Sequence, residues 1–409
     1  MRPAVPAEHP QAAPAIARGG VAQVFWAFLR LGLTSFGGPV AHLGYFRAEF
    51  VQRRRWLDDA TYTDLVALCQ FLPGPASSQV GLAIGLARAG AWGSLAAWVG
   101  FTLPSAVAMT LFAVGLQHGA LPAGAGALHA LKLVAVAVVA QAVWRMAQSL
   151  CPDRPRAALA VGAAVLVLLL PGVHAQLLAI ALGAAVGRWA ITVPTVGPAV
   201  PRSYGVSRAA GAALLAAGAA LLVVLPLWAR DSGSAAAAAL SVVYRAGALT
   251  FGGGHVVLPL LQAGLVAPGW ISNDLFLAGY GAVQAVPGPL LSFAAYLGAV
   301  LPSPLGGWPG AGVMLVAIFA PGALLIWGAL PFWSVWRERP GMRRALAGVN
   351  AAVVGVLMAA WYDPVVLSAV QRRADVAFAL AAFALLEYAR WSPVWVVALA
   401  AVLGTLIPA

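Results

Sequence analysis

Two copies of a Pro-Gly-Pro sequence lie in apolar parts of the chain and carry polar neighbours that could contact a solute. Neither proline can donate the backbone hydrogen bond of an α-helix, so each copy should end one helix before the next begins. At membrane depth such irregular backbone is tolerated only where it is buried in protein or lines a wet cavity. We therefore predict paired helix breaks at a substrate site. The two copies contain Gln70, Pro73, Gly74, Pro75, Ser77 and Ser78, and Gln284, Pro287, Gly288, Pro289 and Ser292.

The polar residues around each break suit an anion. Ser77, Ser78 and Ser292 fall in the first turn of the following helix, where free backbone N–H groups and the positive end of the helix dipole favour negative charge. Gln70 and Gln284 precede the breaks and can donate amide hydrogens. The central glycine of each copy belongs to the same predicted binding site. The alternative roles are an N-cap for a serine and helix packing for a glutamine.

Two arginines, Arg30 and Arg245, lie inside apolar segments at matching positions of the two halves. An arginine at the centre of a membrane helix costs about 2.5 to 3.5 kcal/mol on insertion scales. A lone arginine could avoid this cost by extending its stem to the membrane surface, but a matched pair favours a functional role. The planar guanidinium suits oxyanions, and two of them could neutralise a dianion.

A second kind of helix break, rich in glycine, precedes each Pro-Gly-Pro copy. Glycine pairs allow a ligand or a neighbouring helix to approach the backbone closely, and close packing alone is the alternative. His42 and His255 follow these breaks. Histidine titrates near neutral pH, which suits proton coupling, whereas a structural role is the alternative. The two glycine-rich breaks are Phe36, Gly37, Gly38 and Pro39, and Phe251, Gly252 and Gly253.

Four further polar residues complete the candidate set. Asp59 and Asp274 border the broken segments at matching positions, so they are candidates for coupling or gating, with loop or cap roles as the alternative. Lys132, the only lysine, lies in an apolar segment, and Asn350 falls near the corresponding place in the second half. We expect both to contact the substrate in a site that is not fully symmetric.

Two sets of membrane helices must position these residues, because the second half repeats the first. Arg30, Phe36 and the glycine pair recur at one constant spacing as Arg245, Phe251 and its glycine pair, which indicates an internal duplication. The predicted divisions are a disordered tail at 1–21, a first repeat at 22–190, a linker with an extra transmembrane helix at 191–234, and a second, inverted repeat at 235–409.

Composition places these repeats in a membrane. Of 409 residues, 62% are hydrophobic and 9% are charged, and the mean hydropathy is +0.89. This composition is typical of an all-α polytopic membrane protein. The net charge of +12 is scattered through short loops rather than gathered on one face, so no nucleic-acid partner is predicted. Cys69 and Cys151 form neither a disulfide framework nor a metal-ligand pattern, and we predict no cofactor or metal.

The loops predict that the two halves face opposite sides of the membrane. The loop after the first segment carries Arg47 and an arginine run at 53–55, while its counterpart at 259–273 has no lysine or arginine. Conversely, the stretch 117–125 has none, and its counterpart carries four arginines between 337 and 344. Because positive loops stay in the cytoplasm, the copies should be inverted. Inverted repeats with broken helices are typical of secondary transporters.

The combination of both motifs, each present twice, resembles the chromate ion transporter family in its long, two-domain form. Phe-Gly-Gly-Pro followed by Gln-x-x-Pro-Gly-Pro-x-x-Ser, then Phe-Gly-Gly-Gly-His followed by the same second motif, carry the resemblance from about residue 22 to the C-terminus. The resemblance implies a multi-pass protein of the cytoplasmic membrane that exports chromate and gives chromate resistance, with sulfate as the tetrahedral analogue. The second copy departs from the first at Gly254 and Leu291, where the first has Pro39 and Ser77.

Other functions stay open at this stage. An uptake or exchange carrier for sulfate or another oxyanion would use the same scaffold. A membrane enzyme acting on lipid phosphates would need a cluster of catalytic acids, whereas the twelve acidic residues are spread thinly. A membrane scaffold would leave the paired arginines unexplained. No Walker A sequence occurs, which argues against ATP as the energy source, but the coupling ion, with protons as a candidate, and a homodimer are left open.

Overall fold

A computed structural model gives the structure of most of the chain. Residues 1–18, which make up most of the predicted tail, lie outside the described part, as do Gly252 and Gly253 of the second glycine-rich break. None of the described residues forms a strand, so all regular secondary structure in this part of the chain is helical. The described residues are 19–118, 125–170, 173–194, 204–251, 254–302 and 305–406.

The first half and the linker contain three shorter helices followed by five longer ones. The helix α3 starts where the Asp58 side chain accepts a hydrogen bond from the Thr61 backbone N–H at 2.6 Å, which is an ordinary N-cap. The helices of this part are α1 (Val21–Thr34), α2 (Gly38–Phe46), α3 (Asp59–Phe71), α4 (Ala76–Gln117), α5 (Ala125–Leu150), α6 (Arg154–Leu169), α7 (Val173–Ala190) and α8 (Arg208–Ser232).

The second half repeats this order with shorter interruptions. The helix α11 starts at a serine cap, where Ser272 accepts a hydrogen bond from the Leu275 N–H at 3.3 Å. Short 3-10 turns and π-helical stretches join several of its helices. These helices are α9 (Ala235–Ala248), α10 (Val257–Leu261), α11 (Asn273–Val283), α12 (Phe293–Val300), α13 (Gly307–Ala329), α14 (Trp333–Trp336), α15 (Pro340–Ala360), α16 (Leu367–Ala369), α17 (Arg373–Glu387) and α18 (Pro393–Leu406).

Among the described residues, five helices are long and apolar enough to cross a membrane, and several shorter apolar helices accompany them. This confirms the predicted all-α polytopic architecture. The linker between the repeats contains one of the five, α8, which packs on α9 and α13 but leaves most of its surface exposed, as expected for a lipid-facing helix. The five are Ala76–Gln117, Gly126–Leu150, Arg208–Ser232, Gly307–Trp336 and Pro340–Ala369.

The helix interruptions fall at the Pro-Gly-Pro copies. Helix α3 ends at Phe71 and α4 begins at Ala76, while α11 ends at Val283 and the next helical turn begins at Leu290. Helix α4 is itself two helices, since Ala89 (φ −142°) and Gly90 (φ +65°) leave the helical conformation. Each break is therefore followed by a short helix before a long span begins.

The two halves are interleaved rather than side by side. Helix α5 of the first half packs against α11, α17 and α18 of the second half, and α15 of the second half packs against α6 and α7 of the first. Small residues make these contacts close: Gly348 meets Gly183 and Gly187, and Gly404 meets Gly126. Each half thus places its long central helix against the last helix pair of the other.

Candidate functional site

The two Pro-Gly-Pro breaks meet the opposite half of the molecule in the same way. The Gly74 N–H donates a hydrogen bond to the Thr250 carbonyl oxygen at 2.5 Å, and the Gly288 N–H donates to the Ser35 carbonyl oxygen at 3.0 Å. Thr250 and Ser35 occupy matching places, each directly before the phenylalanine of its glycine-rich break. Each Pro-Gly-Pro break is therefore joined to the residue that directly precedes the glycine-rich motif of the other half.

Glycine is required at the centre of each break for two reasons. Gly74 has φ +128° and Gly288 has φ +104°, conformations that residues with a Cβ rarely adopt. A Cβ at Gly288 would also lie 3.2 Å from the Phe101 carbonyl oxygen and 3.0 Å from the Ser105 hydroxyl. At Gly74 it would lie 3.3 Å from the Gly322 Cα. Ser105 and Gly322 each follow the proline inside the long helix of the opposite half, so this contact is reciprocal too.

A cavity of about 150 Å³ opens beside one of these crossings. Its walls combine the first glycine-rich break with the second Pro-Gly-Pro break and with one face of α5. Arg145 is the one arginine or lysine that the described residues contribute to this wall. We call this space the central cavity; its polar and backbone lining includes Gly37, Gly38, Pro39, Gln141, Arg145, His255, Gln284 and Gly288.

Arg145 is held by an acid from the other half of the chain. Its Nε donates to Glu387 Oε2 at 2.8 Å, and the Gln141 amide donates to the same oxygen at 2.9 Å. The Arg145 side chain is 55% exposed, whereas that of Glu387 is 16% exposed. A guanidinium has five N–H donors, so Arg145 keeps its two terminal nitrogens for another acceptor while Glu387 fixes its orientation. This geometry suits an oxyanion entering the central cavity.

His255 adds a second titratable group to the cavity wall. Its Nδ1 lies 2.6 Å from the hydroxyl of Tyr280, which is fully buried, so the ring is fixed by a short hydrogen bond. The other imidazole nitrogen, Nε2, makes no hydrogen bond to any described residue. A histidine held in this way can exchange a proton at Nε2 without losing its position.

Several of the buried polar atoms without a hydrogen-bond partner lie around the crossings, and others lie elsewhere in the described part of the chain. Buried polar groups are normally hydrogen-bonded, so a group of unpaired ones indicates a surface that a polar solute could satisfy. His42 lies among them, with its Nδ1 3.5 Å from the Ser77 hydroxyl. Most are at a break or within one helical turn of a residue that contacts one. The atoms are Ser35 Oγ, His42 Nε2, Ser78 Oγ, Thr102 Oγ1 and Ser292 Oγ.

Comparison with known proteins assigns the chain to a family. The family model for chromate transporters matches the chain twice, over residues 22–188 and 237–405. This chain belongs to the chromate transporter family. The two matches together cover most of the sequence, one on each side of α8. The chain covers 80 to 94% of the length of four curated relatives.

Relatives over most of that length carry transport in their names. The chromate transport protein of Pseudomonas aeruginosa is 29% identical over 362 residues, which is 83% of this chain and 80% of the relative. The chromate transport protein of Cupriavidus metallidurans is 26% identical, over 93% of this chain and 92% of the relative. A probable chromate transport protein of Synechococcus elongatus is 28% identical, over 81% of each chain. No solved structure shows a significant match.

In this chromate transporter family member, the two arginines predicted from the sequence occupy different surroundings. Arg30 is exposed on the outer face of α1, and Arg245 is half-buried on α9. Neither lines the central cavity. Arg245 makes no hydrogen bond or ion pair with any described residue. Both stay candidates for anion contact, and variants that test them are given below.

Other predicted residues are divided between the cavity and its surroundings. Gln284 lines the central cavity, while Gln70 is exposed at the end of α3. Ser77, Ser78 and Ser292 are all buried beside the crossings. Asn350 is half-buried on α15.

The remaining charged candidates are paired elsewhere. Lys132 Nζ donates to Asp274 Oδ1 at 2.8 Å, which joins a predicted substrate contact to a predicted gating residue. Asp59 accepts from Arg47 Nε at 2.6 Å, and both side chains of that pair are more than half exposed. The Arg47 hydrogen bond lowers the pKa of the Asp59 carboxyl. These two ion pairs lie outside the central cavity.

Sequence reasoning missed Arg145, the cation of the central cavity, together with Gln141 and Glu387, with which it forms a hydrogen-bonded group. The sequence analysis selects none of the three as a site residue. A signal was present, because Gln141 and Arg145 are four residues apart and so share one face of an apolar helix. Their partner Glu387 could not be found in this way, since it comes from the other half of the chain.

Proposed function

We propose that this protein is a secondary transporter that exports chromate across the cytoplasmic membrane and thereby confers chromate resistance. The observation that carries the proposal is the central cavity, where two helix breaks from opposite halves and an oriented guanidinium surround a space of about 150 Å³. That volume corresponds to about five water molecules at their liquid density, which is enough for a small tetrahedral anion. The choice of chromate as the substrate rests on the names of the relatives, which are chromate transport proteins.

The chain offers three kinds of donor to a dianion in this cavity. The terminal nitrogens of Arg145 provide a planar fork that fits two oxygens of a tetrahedral oxyanion. Gln284 contributes an amide, and the backbone after Gly288 presents the N–H groups that begin the next helix. Because Glu387 already shares Arg145, the anion meets a partly neutralised cation, so it can bind without being held too tightly to leave.

Movement of the substrate would use the backbone hydrogen bonds between the halves. Each break is tied to the opposite half by one such bond, from Gly74 or from Gly288. Rocking of one half against the other around these ties would expose the cavity to alternate sides of the membrane. The opposite orientation of the halves, predicted from the loop charges, belongs to this proposal. His255 and His42 are the groups through which protons would be coupled.

Sulfate has the same shape and charge as chromate, and an uptake carrier for sulfate would use the same donors. A flux assay separates the two. Sealed inside-out vesicles, whose cytoplasmic face points outward, are given labelled chromate or sulfate under an imposed pH gradient. We expect chromate to accumulate inside them and sulfate to compete weakly. Uptake confined to right-side-out vesicles would support the uptake carrier instead, and movement of neither oxyanion in either orientation would overturn the proposal.

One variant pair ties the flux to the cavity. Arg145→Gln removes the charge while keeping an amide donor, and we expect chromate flux to fall by about tenfold or more, since a hydrogen bond to a charged group is lost. Arg208→Gln removes the same charge from an exposed position at the start of α8 and should leave the flux unchanged. Equal losses in both variants would remove Arg145 from the site.

A further inference from the structure

A second charged chamber lies at the other end of α5 from the central cavity. Its volume is about 310 Å³, and both halves of the chain contribute to its walls. Helix α5 lines both spaces: Ala142 faces the central cavity and Ala130 faces the chamber. An α-helix rises about 1.5 Å per residue, so these two positions are about 18 Å apart along the axis. We call this space the distal chamber; its charged and titratable lining is His129, Lys132, Asp274, Arg372 and Asp375.

Lys132 is the buried cation of the distal chamber. Its side chain is 8% exposed, and its ammonium donates to Asp274 at 2.8 Å. The Asp274 side chain is 69% exposed, so the buried member of the pair depends on a partner that stands in solvent. An ammonium buried without a counter-ion is strongly destabilising. Lys132 therefore always needs an anion beside it, but that anion does not have to be Asp274.

The second carboxylate of the chamber is fixed in a way that Asp274 is not. Asp375 Oδ2 accepts from the backbone N–H groups of Gln371 at 2.9 Å and Arg372 at 3.0 Å, and Asp375 Oδ1 lies 3.0 Å from His129 Nε2. Its contacts hold the first turn of α17 in place. Asp274 has one described hydrogen-bond partner, Lys132, so it is the carboxylate that can move aside.

A second cation is available in the same chamber. Arg372, an exposed residue, is part of its lining and forms no ion pair with any described residue. Together with Lys132, it brings two positive charges to a space where Asp375 is the fixed carboxylate, so positive charge is in excess once Asp274 moves aside. The volume of the chamber corresponds to about ten water molecules, so the anion could keep part of its hydration shell.

We propose that the distal chamber is a second binding station for tetrahedral oxyanion dianions, in which the oxyanion takes the place of Asp274 beside Lys132. The proposal rests on the proposed function, because it assigns the same class of solute to a second position on its route. When the solute leaves, Asp274 returns to Lys132 and the buried charge stays compensated. The exchange lets an anion be released from a buried cation without leaving that cation unpaired.

The test measures binding rather than flux. Full-length protein in lipid nanodiscs is equilibrated with labelled sulfate or with chromate, and the number of ions bound per chain is determined by equilibrium dialysis. We expect two for the unmodified protein. Arg145→Gln should lose one, and Lys132→Met should lose the other. The double variant Lys132→Met with Asp274→Asn removes both charges of the pair, so it guards against loss of folding and should also retain one bound ion.

Asp274→Asn separates a binding station from a structural ion pair. If the oxyanion competes with Asp274, removing that carboxylate should tighten binding at the distal chamber by about fivefold. This factor corresponds to the free energy of a partly exposed ion pair, which the oxyanion no longer has to break. If the pair only stabilises the fold, the variant should melt at a lower temperature and bind sulfate with unchanged affinity. That second result would overturn the proposal.

The outcomes also distinguish this proposal from the proposed function. One ion bound per unmodified chain, lost in Arg145→Gln and kept in both Lys132 variants, would remove the distal station alone. Binding of neither sulfate nor chromate by the unmodified protein would remove both. The flux assay in vesicles reports on the proposed function in either case.

Discussion

The first and second Pro-Gly-Pro breaks share their backbone but differ in one side chain that follows them. At the first break, the buried amide of Gln79 donates to the Pro73 carbonyl oxygen at 2.9 Å and to the Gly322 carbonyl oxygen at 3.2 Å, so it ties the break to α13. The matching position of the second half is Phe293, which instead packs against Tyr280 in an aromatic cluster. The same backbone break is therefore followed by a hydrogen-bonding side chain in one half and by a core aromatic side chain in the other.

The consequence is an asymmetric centre. The side chain after the first break reaches back across it and acts as a brace between the halves. The side chain after the second break turns away into the core, and the backbone at Gly288 faces the central cavity. We infer that the first break mainly holds the halves together and that the second mainly contacts the solute. Variants at matching positions should therefore differ in what they impair.

The largest difference is expected between the two central glycines. Gly288→Ala would force a side chain into a conformation that costs on the order of 1 to 3 kcal/mol and against the Phe101 carbonyl oxygen, beside the cavity. Chromate flux in vesicles should fall more than tenfold at equal protein content. Gly74→Ala is strained as well and would displace the Gln79 amide, but Gly74 does not line the central cavity, so its loss of flux should be smaller. Equal losses would argue that both breaks contact the solute.

A control for backbone strain alone is available at Gly233. It has φ +60° and nothing within 4 Å of where a Cβ would stand. Gly233→Ala should keep normal flux with slightly lower thermal stability. A flux loss as large as that of Gly288→Ala would mean that strain anywhere in the chain impairs transport.

The paired arginines offer the next test of the asymmetry. Arg245 is half-buried and unpaired among the described residues, whereas Arg30 is exposed and can extend to the membrane surface. We expect Arg245→Gln to lower chromate flux by several-fold more than Arg30→Gln does. Flux is measured in the same vesicles, with membrane insertion checked by immunoblot. Complete loss in both variants would restore the symmetric arrangement that the sequence predicts.

The brace at the first break should affect stability more than transport. Gln79→Ala would remove the amide that donates to the Pro73 and Gly322 carbonyl oxygens, at a cost of about 0.5 to 1.5 kcal/mol for each hydrogen bond lost. The melting temperature in detergent should fall, while the affinity for chromate stays close to that of the unmodified protein. A changed affinity with an unchanged melting temperature would place Gln79 in the binding site instead.

The smallest expected effect concerns stability at acid pH, and it depends on an ion cluster that only the first half has among the matching loops. Glu49 is buried, which opposes its ionisation, but hydrogen bonds from Arg54 at 2.6 Å and Arg53 at 3.0 Å outweigh the burial and lower its pKa. A lowered pKa stabilises the fold above the unfolded-state value and loses that effect as the pH falls through the folded-state value. The matching loop of the second half has no lysine or arginine with which to form such a cluster.

We therefore expect the melting temperature to be steady from neutral pH down to about pH 5 and to fall below it. Glu49→Gln should start from a lower melting temperature at pH 7 and decline less on acidification. An identical pH profile for the variant and the unmodified protein would show that Glu49 contributes nothing to acid stability.

The helices and their interruptions could be predicted from the sequence because each depends on local chemistry. Apolar length identified the spans, and the inability of proline to donate a backbone hydrogen bond placed the interruptions between Phe71 and Ala76 and between Val283 and Leu290. The duplication and both motifs can be recognised as repeated sequence patterns. Proline alone does not make a break, since the helices run through Pro104 and Pro321.

The residues that line the central cavity could not be predicted in the same way. Arg145, Gln141 and Glu387 meet only because α5 packs against α17, and Lys132 meets Asp274 only because α5 also packs against α11. Reasoning from matching positions selected Arg30 and Arg245 as partners. Two-fold similarity in sequence, however, does not make the surroundings of two residues alike.

By itself, the sequence determined that this chain is a duplicated, helical membrane protein with a broken helix in each copy, since apolar length, proline chemistry and repetition act within short stretches. Only the tertiary structure decided which break faces a cavity and which cation stands in it. The reason is that the halves are interleaved. Arg145 and Lys132 therefore find their partners 242 and 142 residues away in the chain, beyond the reach of any local pattern.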